Sequence, residues 1–301
     1  MKVLCFGSLN IDYVYQVPRF VSRGETLAAS ELSVFSGGKG LNQSIALARA
    51  GLTVFHAGAV GEDGGFLIEE LRAAGVDTKY IVSPHGCRTG HAVIQKTPDG
   101  DNCILLCGGA NQAITRDQID RVLSECAPGD VLVAQNEISE PAYLLERARA
   151  RGLRIALNPS PMDGAAADLA PLSDILLLNE IEAAQLLGRN ADCGEEELLR
   201  ELALRFPKSE IVLTLGEKGS AYAGGGQRLR QRAVQTKTVD TTGAGDTYTG
   251  YFLAGILTGH DPLWSMRCAS TAAAIAVSRP GAAPSIPLRA EVMRRMEECG
   301  W

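Results

Sequence analysis

A glycine-rich segment carrying acidic residues lies directly before a strongly apolar helical pattern, towards the end of the chain. It reads Val239-Asp240-Thr241-Thr242-Gly243-Ala244-Gly245-Asp246-Thr247. Small residues before a helix let a ligand approach the backbone and leave the first-turn N–H groups free to face it. Those groups and the helix dipole favour negative charge, so the segment predicts a phosphate or oxyanion site. In the same field Asp246 would stay ionised and could accept the proton of an attacking hydroxyl group. Taken alone, this short motif favours the simpler interpretation that Asp246 is an N-cap or first-turn residue and that the glycines serve only packing.

A second glycine-rich segment, Ser36-Gly37-Gly38-Lys39-Gly40-Leu41-Asn42, also precedes a helical pattern. Lys39 supplies a cation, and Asn42 can both donate and accept hydrogen bonds. The segment is not a P-loop, because Ser33 stands where the first glycine is needed and Gly40 follows the lysine. The chain also lacks a GxGxxG that follows a strand and opens a helix, which disfavours a dehydrogenase. A flexible turn with a solvated lysine is the alternative for this segment taken by itself.

The first strand pattern ends in a third polar segment, Gly7-Ser8-Leu9-Asn10-Ile11-Asp12. Asn10 and Asp12 could bind vicinal hydroxyl groups with paired donors and acceptors. Alternatively, the two residues form only a turn.

In this order, these segments resemble the ribokinase branch of the PfkB-type carbohydrate kinase family, and the resemblance covers nearly the whole chain. The matching segments are Gly37–Asn42, Asn179-Glu180-Ile181-Glu182, Thr214–Gly219, Asp240–Asp246 and Ala272–Gly281. The resemblance implies an ATP-dependent kinase that transfers the γ-phosphoryl group to the primary hydroxyl of a sugar. Ribose, giving ribose 5-phosphate, is favoured because Thr89-Gly90 and Gly109-Ala110-Asn111 also match.

The resemblance also implies roles for individual residues. Asp246 would be the catalytic base, and Gly243, Ala244 and Gly245 would form the anion hole for the transferring phosphoryl group. The positions that match the sugar site are Asn10, Asp12, Gly38, Lys39, Asn42, Glu137 and Asp246.

The nucleotide and ion positions follow from the same resemblance. Asn179 and Glu182 match the motif that positions Mg²⁺ and the ATP phosphates, although their spacing also fits a helix-capping pair. The remaining nucleotide-binding positions would be Thr214, Gly216, Gly219, Gly245 and Ser270, the last of which replaces a His or Asn common in relatives near adenine. A monovalent cation, usually potassium, would lie at Asp240, Thr242, Ala276, Arg279, Gly281 and Ser285.

Short apolar strand patterns alternate with longer helical patterns for most of the chain. Strands at Val3–Leu9, Val54–Val60 and Val131–Gln135, with helices such as Gln43–Ala50 between them, predict a mostly parallel sheet covered on both faces. The helical segments after Asp240 are Ala244–Thr258, Pro262–Val277 and Leu288–Glu298. We therefore expect an α/β fold of the three-layer αβα sandwich type.

Two strand pairs interrupt this alternation. One comprises Tyr13–Val17 and Glu31–Phe35; the other is Gly90–Thr97 and Asn102–Cys107, around the turn Pro98-Asp99-Gly100. They predict a small β-sheet that is either a lid over the cleft or an extra edge sheet. We expect one domain spanning residues 1–301, with lid segments at about 12–35 and 89–107 inserted in the core. In the related family such a lid often supports dimerisation, so a homodimer is expected.

Composition limits the partners of the protein. The chain has 301 residues, of which 46% are hydrophobic and 21% are charged, and its net charge is −6. A globular protein that binds neither nucleic acid nor an anionic membrane fits this balance. The short apolar run after Met1 does not resemble a signal peptide, so a cytoplasmic location is expected, with the eight scattered cysteines reduced and without zinc. Two other interpretations of function stay open: a related kinase acting on fructose, deoxyribose or a nucleoside, and a sugar or nucleotide sensor without catalysis.

Overall fold

A computed structural model describes residues 1–99, 101–164, 166–190 and 193–301 of the chain. Within these ranges the strands are β1 (Val3–Phe6), β2 (Asn10–Gln16), β3 (Glu31–Gly37), β4 (Val54–Ala59), β5 (Asp77–Val82), β6 (Gly90–Lys96), β7 (Asn102–Cys107), β8 (Val131–Gln135), β9 (Arg154–Asn158), β10 (Ile175–Asn179), β11 (Glu210–Thr214), β12 (Ser220–Gly224) and β13 (Gln227–Gln231). The helices are α1 (Lys39–Arg49), α2 (Gly65–Ala73), α3 (Arg116–Ser124), α4 (Pro141–Ala150), α5 (Ala166–Leu169), α6 (Glu180–Leu187), α7 (Glu195–Arg205), α8 (Ala244–Leu257), α9 (Pro262–Val277) and α10 (Arg289–Glu298).

The larger sheet has nine strands in the order β13-β12-β11-β10-β9-β8-β1-β4-β5. All neighbours from β11 to β5 pair in parallel, whereas β12 and β13 form an antiparallel hairpin at one edge. On either side of β1 the chain order runs in opposite directions along the sheet. Open parallel sheets bind ligands at such a reversal, beyond the carboxyl ends of the strands.

Helices cover both faces of this sheet. Alternate residues along each strand enter one of two separate hydrophobic clusters, as Leu4 and Phe6 do on one face and Val3 and Cys5 on the other. Helices α3, α4, α6 and α7 pack on the first face, and α1, α2, α8, α9 and α10 pack on the second. Interior strands such as β1, β8 and β10 are buried on both faces, and they are therefore apolar except for the last residues of β8 and β10. The three-layer αβα prediction is confirmed.

The smaller sheet contains four strands in the order β3-β2-β6-β7. β2 pairs antiparallel with β3 but parallel with β6, and β6 and β7 form a hairpin. Pro98 and Asp99 lie in the turn of this hairpin, whereas Gly100, the last residue of the predicted turn, lies outside the described residues. The predicted separate small sheet is therefore present.

The first strand is shorter than expected, and this changes the position of two site residues. β1 ends at Phe6, and the chain enters the small sheet at Asn10, so the prediction of one strand over Val3–Leu9 is wrong. Asn10 and Asp12 consequently lie in β2, and the alternative of a simple turn is wrong as well. The reason is tertiary: Ser8 accepts the Leu41 N–H through its carbonyl, and the Leu9 N–H donates to the Asn111 side chain. Both bonds turn the backbone out of the large sheet.

Other departures concern elements with weak local signals. β5 and the hairpin β12–β13 were not predicted, and α1 begins at Lys39 rather than Gln43. β13 is mostly exposed, with only its last residue, Gln231, buried, so it has little of the apolar pattern of an interior strand. In the described part of the chain, none of the helices is long and apolar enough to cross a membrane.

Candidate active site

The start of α8 lies at the centre of the site. Its N-cap residue, Gly243, has φ 73°, a left-handed conformation that glycine adopts without strain. The Ala244 N–H donates to the Thr241 carbonyl at 3.2 Å, which occupies one of the three predicted anion-hole amides. The N–H groups of Gly243 and Gly245 have no hydrogen-bond acceptor among the residues described. Two of the three amides thus remain available for an anion.

Asp246 lies in the first turn of α8 and is buried. The Asn42 side chain donates to its Oδ2 and the Gln43 side chain donates to its Oδ1, both at 2.9 Å. Burial raises the pKa of this carboxyl group, while the Lys39 charge and the two amide donors act in the opposite direction. The result is a carboxylate of raised basicity with both oxygens held in place.

Lys39 and Glu137 supply two further charges near Asp246. Glu137 follows β8 and accepts hydrogen bonds from the Ser8 hydroxyl and, at 3.1 Å, from the Lys39 backbone N–H. Burial raises the pKa of Glu137, against the opposing effect of the Lys39 charge. Burial would lower the pKa of Lys39, but Asp246, Glu137 and Glu182 outweigh it, and the net shift is upward. Lys39 is therefore a permanent cation among three acidic groups.

The glycines of the second loop permit a close approach between α1 and the end of β1. Gly38 has φ 94°, and a Cβ there would lie 2.9 Å from the Ser8 carbonyl oxygen and 3.0 Å from the Asn10 nitrogen. A Cβ on Gly40 would lie 2.5 Å from the Gly7 carbonyl carbon. Only glycine fits at these positions, and this places Lys39 and Asn42 against the ends of β1 and β8.

Asn10 and Asp12 enter the site from the small sheet. The Asn10 side-chain oxygen accepts a bond of 2.8 Å from Asn111, which fixes its amide. Burial, followed by the nearby Glu137 charge, raises the pKa of Asp12 to about 6. A Cβ on Gly37 would lie 2.3 Å from an Asp12 carboxyl oxygen, so β3 packs closely on this group.

The start of α6 carries a complete capping box. The Asn179 side chain accepts the Glu182 N–H at 2.8 Å, and the Glu182 carboxylate accepts the Asn179 N–H at 3.0 Å. Asn179 pairs in register with Thr214 at the end of the neighbouring strand β11. The predicted capping pair is confirmed, and the charge of Glu182 also acts on the pKa values of Lys39 and Asp246.

Asp240 organises the loop before α8. Its carboxylate accepts the Thr242 N–H at 3.0 Å, the Thr242 hydroxyl at 2.6 Å and the Gly281 N–H at 3.2 Å. Lys96, at the end of β6 in the small sheet, lies 3.8 Å from the same carboxylate. Burial raises the pKa of Asp240, but these hydrogen bonds and Lys96 reverse the shift, so the net pKa is lowered.

The structure does not join every predicted residue to this cluster. The Arg279 N–H donates to the Ala276 carbonyl, and the Ser285 hydroxyl donates to the Ala282 carbonyl, so these residues form the adjoining turns. Gly216 and Gly219 take left-handed conformations around a short 3₁₀ turn after β11, and Ser270 is buried within α9. None of these last three has a described hydrogen bond to the Asp246 cluster.

Sequence reasoning missed several residues of the site. Gln43 and Gln135, which are buried beside Asp246, were not selected, and neither was Ser8 as a partner of Glu137. Gln135 is the last residue of an otherwise apolar strand, which was its one local signal. Gln43 follows Asn42 in a helix, and nothing in that spacing distinguishes it from a solvated residue.

The site lies beyond the carboxyl ends of a parallel sheet and combines a basic carboxylate at a helix start, free amides beside it and an adjacent half-buried lysine. These features define a phosphotransferase that acts on a hydroxyl group. Residues 1–289 match the pfkB family of carbohydrate kinases, and the chain belongs to this family. Ribokinase from Staphylococcus aureus (strain COL) is 34% identical over 300 residues, which cover 97% of this chain and 98% of that protein.

Two solved structures extend this similarity to three dimensions. Ribokinase from Cryptococcus neoformans var. grubii serotype A, in complex with ADP, has 33% identity and a TM-score of 0.84. Ribokinase from Arabidopsis thaliana, complexed with ribose and ATP, has 30% identity and a TM-score of 0.87. Each alignment covers 98% of both chains.

Proposed function

We propose that this protein is an ATP-dependent kinase that transfers the γ-phosphoryl group to the primary hydroxyl of ribose, forming ribose 5-phosphate. Full-length similarity to ribokinases, one of them solved with ribose and ATP, supports the choice of substrate. The observation that carries the proposal is the Asp246 carboxylate, which is buried at the start of α8 and held by Asn42 and Gln43.

Asp246 acts as the general base. It accepts the proton of the sugar hydroxyl as that oxygen bonds to the γ-phosphorus, and the bond from this phosphorus to the β–γ bridging oxygen breaks to release ADP. The raised pKa of Asp246 makes it a stronger base than an exposed aspartate, while the Lys39 charge and the two amide donors favour its ionised form. The Gly243 and Gly245 amides and the Lys39 ammonium stabilise the charge on the transferring group, and Ala244 contributes by shaping the loop.

The sugar lies between the small sheet and the ends of β1 and β8. Asn42 Oδ1 is buried and has no hydrogen-bond partner in the described residues, as expected of an acceptor that a ligand hydroxyl satisfies. The carboxylates of Asp12 and Glu137 can accept bonds from further hydroxyls. The residues assigned to the sugar are Asn10, Asp12, Gly38, Lys39, Asn42, Glu137 and Asp246.

ATP lies along the ends of β10 and β11. Asn179, Thr214, Gly216 and Gly219 line the carboxyl edge of these strands, and Ser270 contributes from α9. The Glu182 carboxylate suits Mg²⁺, which prefers oxygen ligands and retains several waters. When bound, Mg²⁺ neutralises charge on the ATP phosphates.

A monovalent cation, with potassium preferred, fits the loop before α8. Its proposed ligands are carboxylate, hydroxyl and carbonyl oxygens of Asp240, Thr242, Ala276, Arg279, Gly281 and Ser285. The hydrogen bond from Gly281 to Asp240 already brings two of the three chain segments together. A cation there orders the loop that carries the free amides.

The small sheet is the lid of the site and the surface of a homodimer. It supplies Asn10 and Asp12, and its closure excludes water, which limits ATP hydrolysis. On β7 the side chains of Ile104, Leu105 and Leu106 are more than half exposed. An exposed apolar edge strand of this kind favours pairing with a second copy.

A substrate panel tests the function directly. ADP release is measured at saturating ATP with ribose, deoxyribose, fructose and a nucleoside, for the wild type and for Asp246→Asn. We expect the highest kcat/KM with ribose and a loss of about 10²–10⁴-fold in kcat for Asp246→Asn, which removes the base. A higher kcat/KM for another acceptor would reassign the substrate. Sugar binding without any ADP release would make the protein a sensor, and normal turnover by Asp246→Asn would refute the assignment of the base.

A further inference from the structure

Two buried glutamines link the candidate base to the core of the sheet. Gln43 Nε2 donates to Asp246 Oδ1 at 2.9 Å, and Gln135 Nε2 donates to Gln43 Oε1 at 2.7 Å. Both glutamines are almost completely inaccessible to solvent. They come from α1 and from the end of β8, so the chain Gln135–Gln43–Asp246 joins three separate elements. The Asn158 side-chain oxygen also lies 3.4 Å from Gln43 Nε2.

The direction of this chain is set by Asp246. An ionised carboxylate only accepts hydrogen bonds, so Gln43 must turn its NH₂ group towards it. The Gln43 carbonyl then faces Gln135, which must in turn present its own NH₂ group. This leaves Gln135 Oε1 buried and without a partner among the described residues. A buried carbonyl without a partner is unfavourable, and turning the Gln135 amide over would remove the donor that Gln43 needs.

We propose that Gln43 and Gln135 are positioning residues for the proposed phosphoryl transfer: Gln43 orients and polarises the Asp246 carboxylate, and Gln135 fixes the orientation of the Gln43 amide. This inference rests on the proposed function and deepens it. With Asn42 on Oδ2 and Gln43 on Oδ1, the carboxylate plane cannot rotate, and each oxygen keeps a lone pair for the sugar hydroxyl. Uncharged donors achieve this without forming an ion pair that would reduce the basicity of Asp246.

Removing a member of the hydrogen-bonded chain Gln135–Gln43–Asp246 should shift the pKa of Asp246 in a defined direction. The other charged or titratable groups that act on it are Lys39 on α1, Glu182 on α6, Glu137 after β8 and the Cys5 thiol on β1. Removing Gln43 leaves all of these in place and takes away one donor that favours the ionised form. The pKa of Asp246 must then rise, and the acid limb of kcat against pH must move to higher pH.

A purely structural role for Gln43 predicts something different. If its side chain only filled space between α1 and α8, methionine, which has nearly the same volume and no donor, would replace it without kinetic consequence. Gln118 is a suitable control. It is also buried, and its side chain donates to the Gly58 carbonyl, without contact to the Gln135–Gln43–Asp246 chain.

The experiment compares Gln43→Met, Gln135→Met, the double variant and Gln118→Met with the wild type. Steady-state kinetics against ribose give kcat and KM, and thermal melting checks the fold. The pKa of Asp246 is measured from the ¹³C shift of its labelled carboxyl group, assigned by its loss in Asp246→Asn. For Gln43→Met we expect kcat to fall by about 10–100-fold. The pKa of Asp246 should rise by about one unit, a tenfold change equal to about 1.4 kcal/mol. The KM for ribose should change by less than about threefold, since the ground-state contacts remain.

Gln135→Met should act in the same direction but less strongly, and the double variant should be no worse than Gln43→Met, because Gln135 acts through Gln43. Wild-type kcat and an unchanged Asp246 pKa in a folded Gln43→Met would overturn the inference, as would an equal loss in Gln118→Met. If Gln43→Met does not fold, Gln135→Met decides the question by the same two measurements. A wild type that releases no ADP with any sugar refutes the proposed function instead. The Asp246 titration then still tests whether Gln43 and Gln135 control the pKa of this carboxyl group.

Discussion

Replacing Asp12 by asparagine should stabilise the protein while weakening its binding of ribose. Asp12 lies on β2, partly buried and close to Glu137, and its pKa rises from 3.8 to about 6 on folding. A carboxyl group with a higher pKa in the folded state binds its proton more tightly there. Above pH 6 the folded protein must hold an ionised group in an unfavourable place, so this group lowers the free energy of unfolding.

The size of the effect follows from the shift. A shift of two pKa units lowers the free energy of unfolding by about 3 kcal/mol at pH 8. This is an upper value, because part of the Asp12 side chain still contacts water. At pH 5 the folded protein has largely taken up the proton while the unfolded chain has not, so the penalty falls to about half. Asp12→Asn removes the charge and therefore the penalty. Its stabilisation should be largest at pH 8 and should shrink steadily as the pH falls.

Urea unfolding at pH 8 and pH 5 measures the stability, and initial rates at varied ribose measure the KM. A hydrogen bond from a sugar hydroxyl to a charged group contributes about 1.5–3 kcal/mol, so KM should increase by about 10–100-fold. Asp168→Asn, at an exposed position, should change stability by less than about 0.5 kcal/mol at either pH. Equal stability of Asp12→Asn and wild type at pH 8, or a difference that does not depend on pH, would refute the argument from burial. An unchanged KM for ribose would show that Asp12 does not bind the sugar.

Three further outcomes are expected. Gly38→Ala should lower the affinity for ribose and reduce stability by about 1–3 kcal/mol, because its Cβ would meet the Ser8 carbonyl. Gly24→Ala, which also has a positive φ but open space around it, serves as the control for backbone strain alone, and equal losses in both would contradict the contact argument. Replacing potassium by tetramethylammonium should lower kcat, and addition of potassium should restore it. Equal rates in both salts would contradict the proposed cation site. Leu105→Lys should shift the protein from dimer to monomer in sedimentation velocity, whereas the exposed Leu204→Lys should not. A monomeric wild type would contradict the lid dimer.

Much of the fold was predictable because the local hydrophobic patterns agree with the burial that the tertiary structure imposes. Interior parallel strands such as β8 and β10 are apolar up to their last residue, since helices bury both of their faces, and helical periodicity marks the segments between them. Among the strands that escaped prediction, β5 and β13 have mixed burial, whereas β12 is buried but consists largely of small residues. The split between β1 and β2 was missed for another reason. It depends on Leu41 and Asn111, which are distant in sequence, and the apolar run through Leu9 gives no sign of it.

The sequence by itself determined the class of the protein and predicted the two glycine-rich loops to which we assign its chemistry. Glycines before a helix permit a close approach to its first-turn N–H groups, and the attraction of these groups for anions is a local property of the helix start. Only the tertiary structure decided how these parts meet. Asn42 and Asp246 are 204 positions apart and share a hydrogen bond, and hydrogen bonds through Gln43 connect Gln135 with Asp246. Basicity and orientation come from burial and from neighbours on other elements, and a sequence pattern records neither of them.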